Sequence, residues 1–308
     1  MSVVRNGHLL TVGICVDIET ESAYRIVAKS QPDASKVVVV TPNKDLATRL
    51  AGNSSVSVIL EEKREGKTAA MNKLLGAVDD GILVYASGDI IIESGTVARL
   101  AEELRSDPAC GAVLARVVVA NRNQGLMGHV SALIWNLFNG VSKKLGDESK
   151  LAQANDMYAL WRHLVDCIPA GTINDDTFIA STIRKKGFKV KTTDVEFQIA
   201  GPTNPVDYLA QRSRIILGHI QTIKRQKAVP TVFEFTIVTS PARNLRILAS
   251  TIAKGAPGSL AAAAVAIPME VITWCYAMLL SARHKDVSIW KQVAGTKNVL
   301  ESVRSQQD

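Results

Sequence analysis

Apolar and polar positions along the first 120 residues follow two alternating patterns. Short runs rich in valine and isoleucine predict buried strands, and the stretches between them have the spacing of amphipathic helices. Strands that alternate with helices predict an α/β fold with a doubly wound, mostly parallel sheet and helices on both faces. The predicted strands cover residues 9–16, 36–41, 55–60, 82–86 and 110–119, and the predicted helices cover residues 20–30, 44–51, 67–77 and 94–105.

A longer apolar run lies near the end of the chain. Residues 259–280, SLAAAAVAIPMEVITWCYAMLL, contain one charged residue, Glu270. A membrane span needs about 20 apolar residues, so this run predicts a transmembrane helix, with a buried core helix as the alternative. Because a charge inside a span is costly in lipid, Glu270 is expected to face protein, a polar cavity or a partner helix. Lys254 precedes the run, and Arg283, His284 and Lys285 follow it.

Two other apolar segments are less regular. Residues 231–253 are interrupted by Pro241, Arg243 and Arg246, which suits a segment in the membrane interface or a broken span. Residues 125–141 are short for a span and contain a histidine and two asparagines. This second segment is compatible with an interfacial helix, a short span or a core helix.

Charge and cysteine content narrow the class of protein. Residues 1–180 hold 18 Lys and Arg against 21 Asp and Glu, whereas residues 181–308 hold 18 against 8. A basic region of this kind is typical of proteins that bind nucleic acid or an anionic membrane surface. The apolar run, and the lack of any nucleic-acid-binding signature, favour the membrane and exclude nucleic acid. Four widely separated cysteines indicate neither a zinc site nor a disulfide framework, and a reduced, cytosol-facing chain follows.

Two motifs follow predicted strands. In VYASGDIII, Asp89 comes just past the strand over residues 82–86, at the sheet edge where ligands of doubly wound folds bind. The alternative for Gly88-Asp89 is an ordinary turn. The segment EGKTAAMN, residues 65–72, contains GKT. A P-loop would need glycine where Glu61 stands, so we exclude a P-loop NTPase.

Four short motifs, in this order, resemble those of a known enzyme family. They are Gly66-Lys67-Thr68-Ala69-Ala70-Met71-Asn72, Ser87-Gly88-Asp89, Asp175-Asp176 within TINDDTF, and Gln211-Arg212-Ser213-Arg214-Ile215. The order resembles the family 2 glycosyltransferases of GT-A fold, and more closely their cellulose-synthase-like, membrane-associated members. Those carry G-K-x-x-A-x-N, D-x-D, E-D and Q-x-x-R-W motifs. The resemblance covers about residues 9–225.

The resemblance implies a nucleotide-sugar donor and a divalent cation, Mn²⁺ or Mg²⁺, at its diphosphate. Asp89 matches the metal-binding carboxylate, and Ser87 stands where the family has an aspartate that contacts the donor. A dication of this kind needs hard oxygen ligands. Lys67 is expected to neutralise the diphosphate, and Asp17 to contact the nucleotide. His219 is a further candidate metal ligand, against the alternative of a packed or surface histidine.

The remaining motifs imply the acceptor side of the site. Asp176, with Asp175 beside it, matches the family's catalytic base, against the alternative that both carboxylates cap a helix. Arg212 and Arg214 are candidates for phosphate contacts, because a guanidinium group matches phosphate oxygens. Gln211 is expected to border the acceptor.

One departure from the family bears on the product. Ile215 replaces the tryptophan that stacks on an acceptor sugar in chain-building members, which argues against processive polymer synthesis. The chain is therefore predicted to have two regions: a GT-A catalytic domain over residues 1–228, with 125–141 as a candidate membrane contact, and a membrane-associated helical region over residues 229–308 with its span at 259–280.

Together these features predict a membrane-bound, metal-dependent, inverting glycosyltransferase. It would transfer a hexose of mannose or glucose type from a GDP- or UDP-sugar to a lipid-linked acceptor, such as dolichyl or polyprenyl phosphate, in glycan assembly. Its other partners would be membrane lipids, and its catalytic domain would lie on the cytoplasmic face. Two alternatives stay open: a processive polysaccharide synthase, and an inert membrane scaffold of the same fold, which Ser87 in place of an aspartate favours.

Overall fold

The structure is a computed structural model, and it describes residues 9–18, 21–255 and 258–282. The strands are β1 (Leu10–Cys15), β2 (Lys36–Thr41), β3 (Val56–Leu60), β4 (Ile82–Ser87), β5 (Cys110–Val119), β6 (Met157–Trp161) and β7 (Lys189–Ile199). The α-helices are α1 (Glu21–Ser30), α2 (Lys44–Ala51), α3 (Lys67–Ala77), α4 (Thr96–Arg105), α5 (Gly125–Asp147), α6 (Asp175–Lys185), α7 (Pro205–Gln226), α8 (Phe233–Thr239), α9 (Pro241–Lys254) and α10 (Ser259–Ala282).

The strands form one mostly parallel sheet in the order β3-β2-β1-β4-β6-β5-β7. β1 pairs in parallel with β2 and β4, and β5 pairs in parallel with β7. β6 runs antiparallel to both of its neighbours, β4 and β5. The predicted fold class is confirmed, and the five predicted strands differ from β1–β5 by no more than one residue at either end. The reversal of β6 brings its amino-terminal end to the edge where the parallel strands end.

Both faces of the sheet are covered by helices. In the run of four valines that forms most of β2, Val37 and Val39 belong to the core beneath α1 and α4, together with Leu100. Val38 and Val40 belong to the opposite core, beneath α3. Burial on both faces explains why this strand reads as a continuous apolar run instead of an alternating one.

A layer of four long helices packs beside the sheet. α5 contacts β5 and β7 with one side and α9 and α10 with another, and α10 also packs along α7. Met127, Leu133, Tyr208, Ala262 and Ala266 belong to the core that these helices share. The segment 125–141 therefore lies in a packed helix, and a membrane contact for it stays a prediction. Residues 231–253 form two helices that meet at Ser240.

The apolar run at residues 259–280 forms a single helix, α10. Within the described residues it is the one helix long and apolar enough to cross a membrane, and 33% of its most apolar window is buried. The larger part of that window therefore faces outward, which differs from a core helix. The basic residues at 283–285 lie outside the described residues. The division of the chain at residue 228 stays a prediction.

Candidate active site at the strand ends

The turn that carries Asp89 is held against the end of β1. The Gly88 backbone N–H donates to the Cys15 carbonyl oxygen at 3.1 Å. A Cβ atom added to Gly88 would lie 2.4 Å from the Cβ of Val16, so this close approach requires glycine. The turn leaves the Asp89 carboxylate exposed at the carboxyl edge of the sheet, as the sequence predicts.

Ser87 connects this turn to the start of β6. Its backbone N–H donates to the Asp156 carbonyl oxygen at 2.9 Å, and its hydroxyl donates to Asp89 Oδ1 at 2.7 Å. Ser87 therefore orients the Asp89 carboxylate. It also brings the neighbouring Asp156 into the site.

Asp156 is a site residue that the sequence analysis missed. It lies directly before β6, and burial raises the pKa of its carboxyl group while Lys67 acts in the opposite direction. Only the antiparallel direction of β6 places residue 156 among the carboxyl ends of the parallel strands. The polar stretch QAND before an apolar run was the available signal, but the sequence does not reveal the strand direction.

Lys67 bridges two carboxylates at the amino-terminal end of α3. Its Nζ lies 3.7 Å from Asp156 Oδ1 and 3.4 Å from Asp175 Oδ2. The same ammonium lies 5.5 Å from the centroid of the Tyr85 ring, within cation–π range. Burial lowers the pKa of Lys67, but the two carboxylates outweigh it and raise that pKa overall. Lys67 is therefore a fixed cation among carboxylates.

Asp175 and Asp176 open α6 and point to different partners. Asp175 is 3% exposed, and among the described residues its Oδ2 has no hydrogen-bond donor, only the ion pair with Lys67. Asp176 Oδ2 accepts from Gln153 Nε2 at 3.1 Å, and Oδ1 accepts from the Thr177 N–H at 2.7 Å. The bond to Thr177 agrees in part with the helix-capping alternative.

Burial, followed by the neighbouring charge of Asp175, raises the pKa of Asp176 to about 7. A carboxyl group with a pKa near neutral pH can exchange a proton with a ligand under ordinary conditions. Gln153 holds it in place, because Gln153 Oε1 also accepts from the Thr177 hydroxyl at 2.7 Å. Asp176 therefore combines a shifted pKa with a fixed position.

Asp17 lies at the same edge of the sheet, past the end of β1. Its Oδ2 pairs with Nε of Arg64 at 2.5 Å. Arg64 lies in the loop before α3 and was not predicted as a site residue. The two side chains are 27% and 37% exposed, so they remain accessible to a ligand at this edge.

The QRSRI motif lies on α7, where its two arginines have different surroundings. Arg214 lines the same cavity as Asp156. Its positive charge acts to lower the pKa of the Asp156 carboxyl group. Arg212 is buried: its Nε donates to Glu270 Oε1 at 2.8 Å, its Nη2 donates to Glu270 Oε2 at 2.9 Å, and Nη2 also contacts Glu234. These carboxylates occupy two of the nitrogens that the prediction assigned to a diphosphate.

His219 is buried inside the helical layer. Its Nδ1 lies 3.1 Å from Asn174 Nδ2, and its ring packs edge-on against Phe235 with centroids 5.8 Å apart. Burial lowers the pKa of His219 to about 3, so the imidazole is neutral. No contact between described residues joins it to Asp89, and its role as a metal ligand stays a prediction.

One cavity of about 620 Å³ joins the carboxylates to the helical layer. Its polar end is lined by Lys67, Gln153, Asn155, Asp156, Asp175, Asp176, Gln211 and Arg214, and Ile215 lies among them. The other walls come from α5, α8, α9 and α10 and are mainly apolar. Seven predicted site residues line this cavity: Lys67, Asp175, Asp176, Gln211, Arg212, Arg214 and His219. Asp17, Ser87 and Asp89 lie outside this lining, at the sheet edge.

Three solved structures with a similar fold are a mannosyltransferase and two glycosyl-3-phosphoglycerate synthases. A mannosyltransferase from Pyrobaculum calidifontis, solved with GDP-Man and Mn²⁺, is 21% identical, with a TM-score of 0.60 over 90% of this chain and 86% of that one. Mannosyl-3-phosphoglycerate synthase from Rubrobacter xylanophilus is 14% identical, with a TM-score of 0.53 over 72% and 75%.

A third similar structure is glucosyl-3-phosphoglycerate synthase from Mycobacterium tuberculosis, solved with Mn²⁺ and UDP. It is 18% identical, with a TM-score of 0.51 over 73% of this chain and 81% of that one. No protein-family model and no curated protein matches the chain. At these identities the comparisons establish the fold: the chain has the GT-A architecture of these glycosyltransferases.

Proposed function

We propose that this protein is a membrane-held, metal-dependent, inverting glycosyltransferase that moves a hexose from a GDP- or UDP-sugar to a lipid-linked acceptor. The observation that carries the proposal is the carboxylate cluster at the strand ends. Asp156, Asp175, Asp176 and Lys67 line the polar end of the cavity, and Ser87 links Asp156 to the exposed Asp89. The similar structures that bind GDP-Man or UDP with Mn²⁺ support a donor and cation of this class.

The residues at the sheet edge fit a cation that arrives with its substrate. Among the described residues, no group of three or more His, Cys, Asp or Glu side chains could hold a metal ion. Mg²⁺ sites of phosphate-transferring enzymes commonly use one or two carboxylates, with substrate phosphates supplying further oxygens. Asp89 is such a carboxylate, and Ser87 holds it in place. When bound, the cation would stabilise the charge that develops on the leaving diphosphate.

Lys67 and Arg214 supply the protein's own positive charge for the diphosphate. Both line the polar end of the cavity, and Lys67 is held by Asp156 and Asp175. We assign Arg212 a different role, because Glu234 and Glu270 already bind its guanidinium group. It would hold α7 against α8 and α10, so that its neighbours Gln211 and Arg214 face the cavity.

Asp176 is the proposed base. For a hydroxyl acceptor, the acceptor oxygen bonds to the anomeric carbon, the bond to the diphosphate breaks, and the acceptor proton moves to Asp176. Transfer through a single displacement inverts the anomeric centre. A phosphate acceptor is already ionised, so there Asp176 would order the site instead of removing a proton. The pKa of about 7 suits the first role.

The lipid-linked acceptor and the membrane location are supported by α10. Its outer face carries Leu260, Ile272 and Leu279, which are 74%, 55% and 57% exposed. Large apolar side chains exposed together along one helix mark a membrane or protein contact. We place the catalytic residues on the cytoplasmic side, with dolichyl or polyprenyl phosphate as the class of acceptor and glycan assembly as the setting.

The test is turnover of GDP- and UDP-hexoses by the full chain in detergent with Mn²⁺ or Mg²⁺, with and without polyprenyl phosphate. We expect glycolipid formation that EDTA abolishes and that Asp89→Asn reduces by about 10³-fold or more, because a neutral amide is a poor ligand for a hard dication. Asp79→Asn is the matched control, since Asp79 is exposed and precedes β4 at the opposite edge. Full activity of Asp89→Asn would refute the metal role, and absence of any donor turnover would favour an inert scaffold.

A further inference from the structure

The end of the cavity away from the carboxylates is apolar on four sides. Leu133 and Leu137 of α5, Ile237 of α8, Leu248 of α9 and Ala266 of α10 contribute to its walls. Its volume lies in the range of pockets that enclose small ligands. This section needs an occupant whose surface is apolar, because hydrocarbon side chains offer a ligand no hydrogen bonds.

The charged side chains along this section are already paired. Arg212, Glu234 and Glu270 line the cavity, and the guanidinium group holds both carboxylates. Tyr208 adds a hydrogen bond from its hydroxyl to Glu270 Oε1 at 2.5 Å. A sugar chain would find few free hydrogen-bond partners here, whereas a hydrocarbon chain has no hydrogen bonds to water that it would lose on entering.

The cavity opens sideways along one stripe of α10. Ile267, Val271, Cys275 and Met278 recur at helical spacing, and all four line the cavity. Ile267, Val271 and Met278 are also 60%, 59% and 54% exposed, and Cys275 is exposed. A side chain that lines a cavity and is also exposed marks an opening. This opening lies on the helix that is long and apolar enough to cross a membrane.

We propose that this section of the cavity binds the first part of the hydrocarbon chain of the lipid acceptor, and that the chain leaves through the stripe on α10 into the bilayer. The inference rests on the proposed function. The phosphate group would lie at the polar end, beside Gln211, the residue expected to border the acceptor. α10 is then a wall of the acceptor site as well as an anchor, and long-chain lipid phosphates are preferred over short ones.

Neighbouring residues on α10 provide matched variants. Val271→Trp and Met278→Trp would fill the opening, whereas Ile272→Trp and Leu279→Trp add the same side chain at exposed positions that do not line the cavity. The full chain is tested in detergent in three assays. The first measures transfer to a long-chain polyprenyl phosphate, and the second measures transfer to a short-chain, water-soluble prenyl phosphate. The third measures hydrolysis of the donor without an acceptor.

For the long-chain acceptor, we expect Val271→Trp and Met278→Trp to raise KM by about tenfold or more, since that corresponds to losing the burial of roughly two methylene groups. KM for the short-chain acceptor and the rate of donor hydrolysis are expected to change less than about twofold, which also shows that the variants fold. Ile272→Trp and Leu279→Trp are expected to behave like the unmodified protein in all three assays.

Two results would overturn the inference while leaving the proposed function intact. One is that the unmodified protein uses short-chain and long-chain phosphates with equal KM. The other is that tryptophan has the same effect at 272 and 279 as at 271 and 278. Donor turnover without transfer to either lipid phosphate would instead overturn the proposed acceptor, and the inference with it.

Discussion

The sheet edge and the helical cavity hold their functional groups in opposite ways. At the edge, backbone hydrogen bonds tie the turn that carries Ser87 and Asp89 to the neighbouring strand ends, a side-chain hydrogen bond joins the two residues, and the Asp89 carboxylate stays accessible. In the cavity, Arg212, Glu234 and Glu270 come from three different helices and are fixed by burial and mutual pairing. The proposed donor side therefore depends on how the strand ends meet, and the proposed acceptor side depends on how the helices pack.

This difference predicts different consequences of mutation. A change at the edge removes a ligand contact but leaves the fold intact, because exposed groups contribute little to stability. A change inside the cavity leaves a buried charge without its partner, which costs folding free energy as well as activity. Stability and activity measured together should separate the two regions.

The largest effect is expected from Arg212→Met, which leaves two largely buried carboxylates without their cation. We expect the free energy of unfolding to fall by about 3–5 kcal/mol, measured by denaturant unfolding in detergent. Replacing Arg212, Glu234 and Glu270 together by apolar residues should recover most of that loss, because burying ion pairs is itself costly. Arg246→Met on the exposed face of α9 is the control. If Arg212→Met is no more destabilising than Arg246→Met, the buried ion pairs of Arg212 do not hold the cavity helices together.

The next effect concerns the base. Asp176→Asn should lower kcat by about 10²–10⁴-fold with a hydroxyl acceptor and less with a phosphate acceptor, while donor affinity changes little. The measurement is steady-state kinetics with each acceptor, together with donor binding by calorimetry. Should Asp175→Asn be the damaging change and Asp176→Asn be silent, the assignment within the pair is off by one residue.

A pH profile gives a smaller effect from the same group. Because the pKa of Asp176 is raised to about 7, kcat for a hydroxyl acceptor should increase as the pH rises through 7, when the carboxylate ionises. Stability should change in the other direction: ionising a buried acid is unfavourable, so the free energy of unfolding of the ligand-free protein should decrease as the pH rises from about 4 to 7. A kcat profile that Asp176→Asn does not flatten would contradict the assignment.

The smallest effect is expected at the ion pair between Asp17 and Arg64. Both side chains are partly exposed, so Arg64→Gln should change the free energy of unfolding by less than about 1 kcal/mol. If this pair borders the nucleotide, KM for the donor should rise a few-fold with kcat unchanged. Arg25→Gln, in the exposed pair with Glu21 on α1, is the control. Equal KM values for the two variants would place the nucleotide elsewhere.

The amino-acid sequence by itself determined the strands of the parallel sheet and the position of Asp89. Runs such as KVVVVT are apolar throughout because both faces of a strand are covered, and this pattern is local. Lys67, Asp175 and Asp176 were also identified as candidates from short motifs near element ends. Such features depend on neighbouring residues, so they can be read from a few positions of the chain.

The tertiary structure alone decided the direction of β6, and with it the place of Asp156 in the site. It also decided that Arg212 meets Glu270 across 58 positions of the chain, which gives the charge in α10 its buried partner. The sequence indicated that Glu270 should face protein, a polar cavity or a partner helix, but not which group it meets. Strand direction and pairing between distant helices depend on the packing of the whole chain, and no short stretch of residues contains that information.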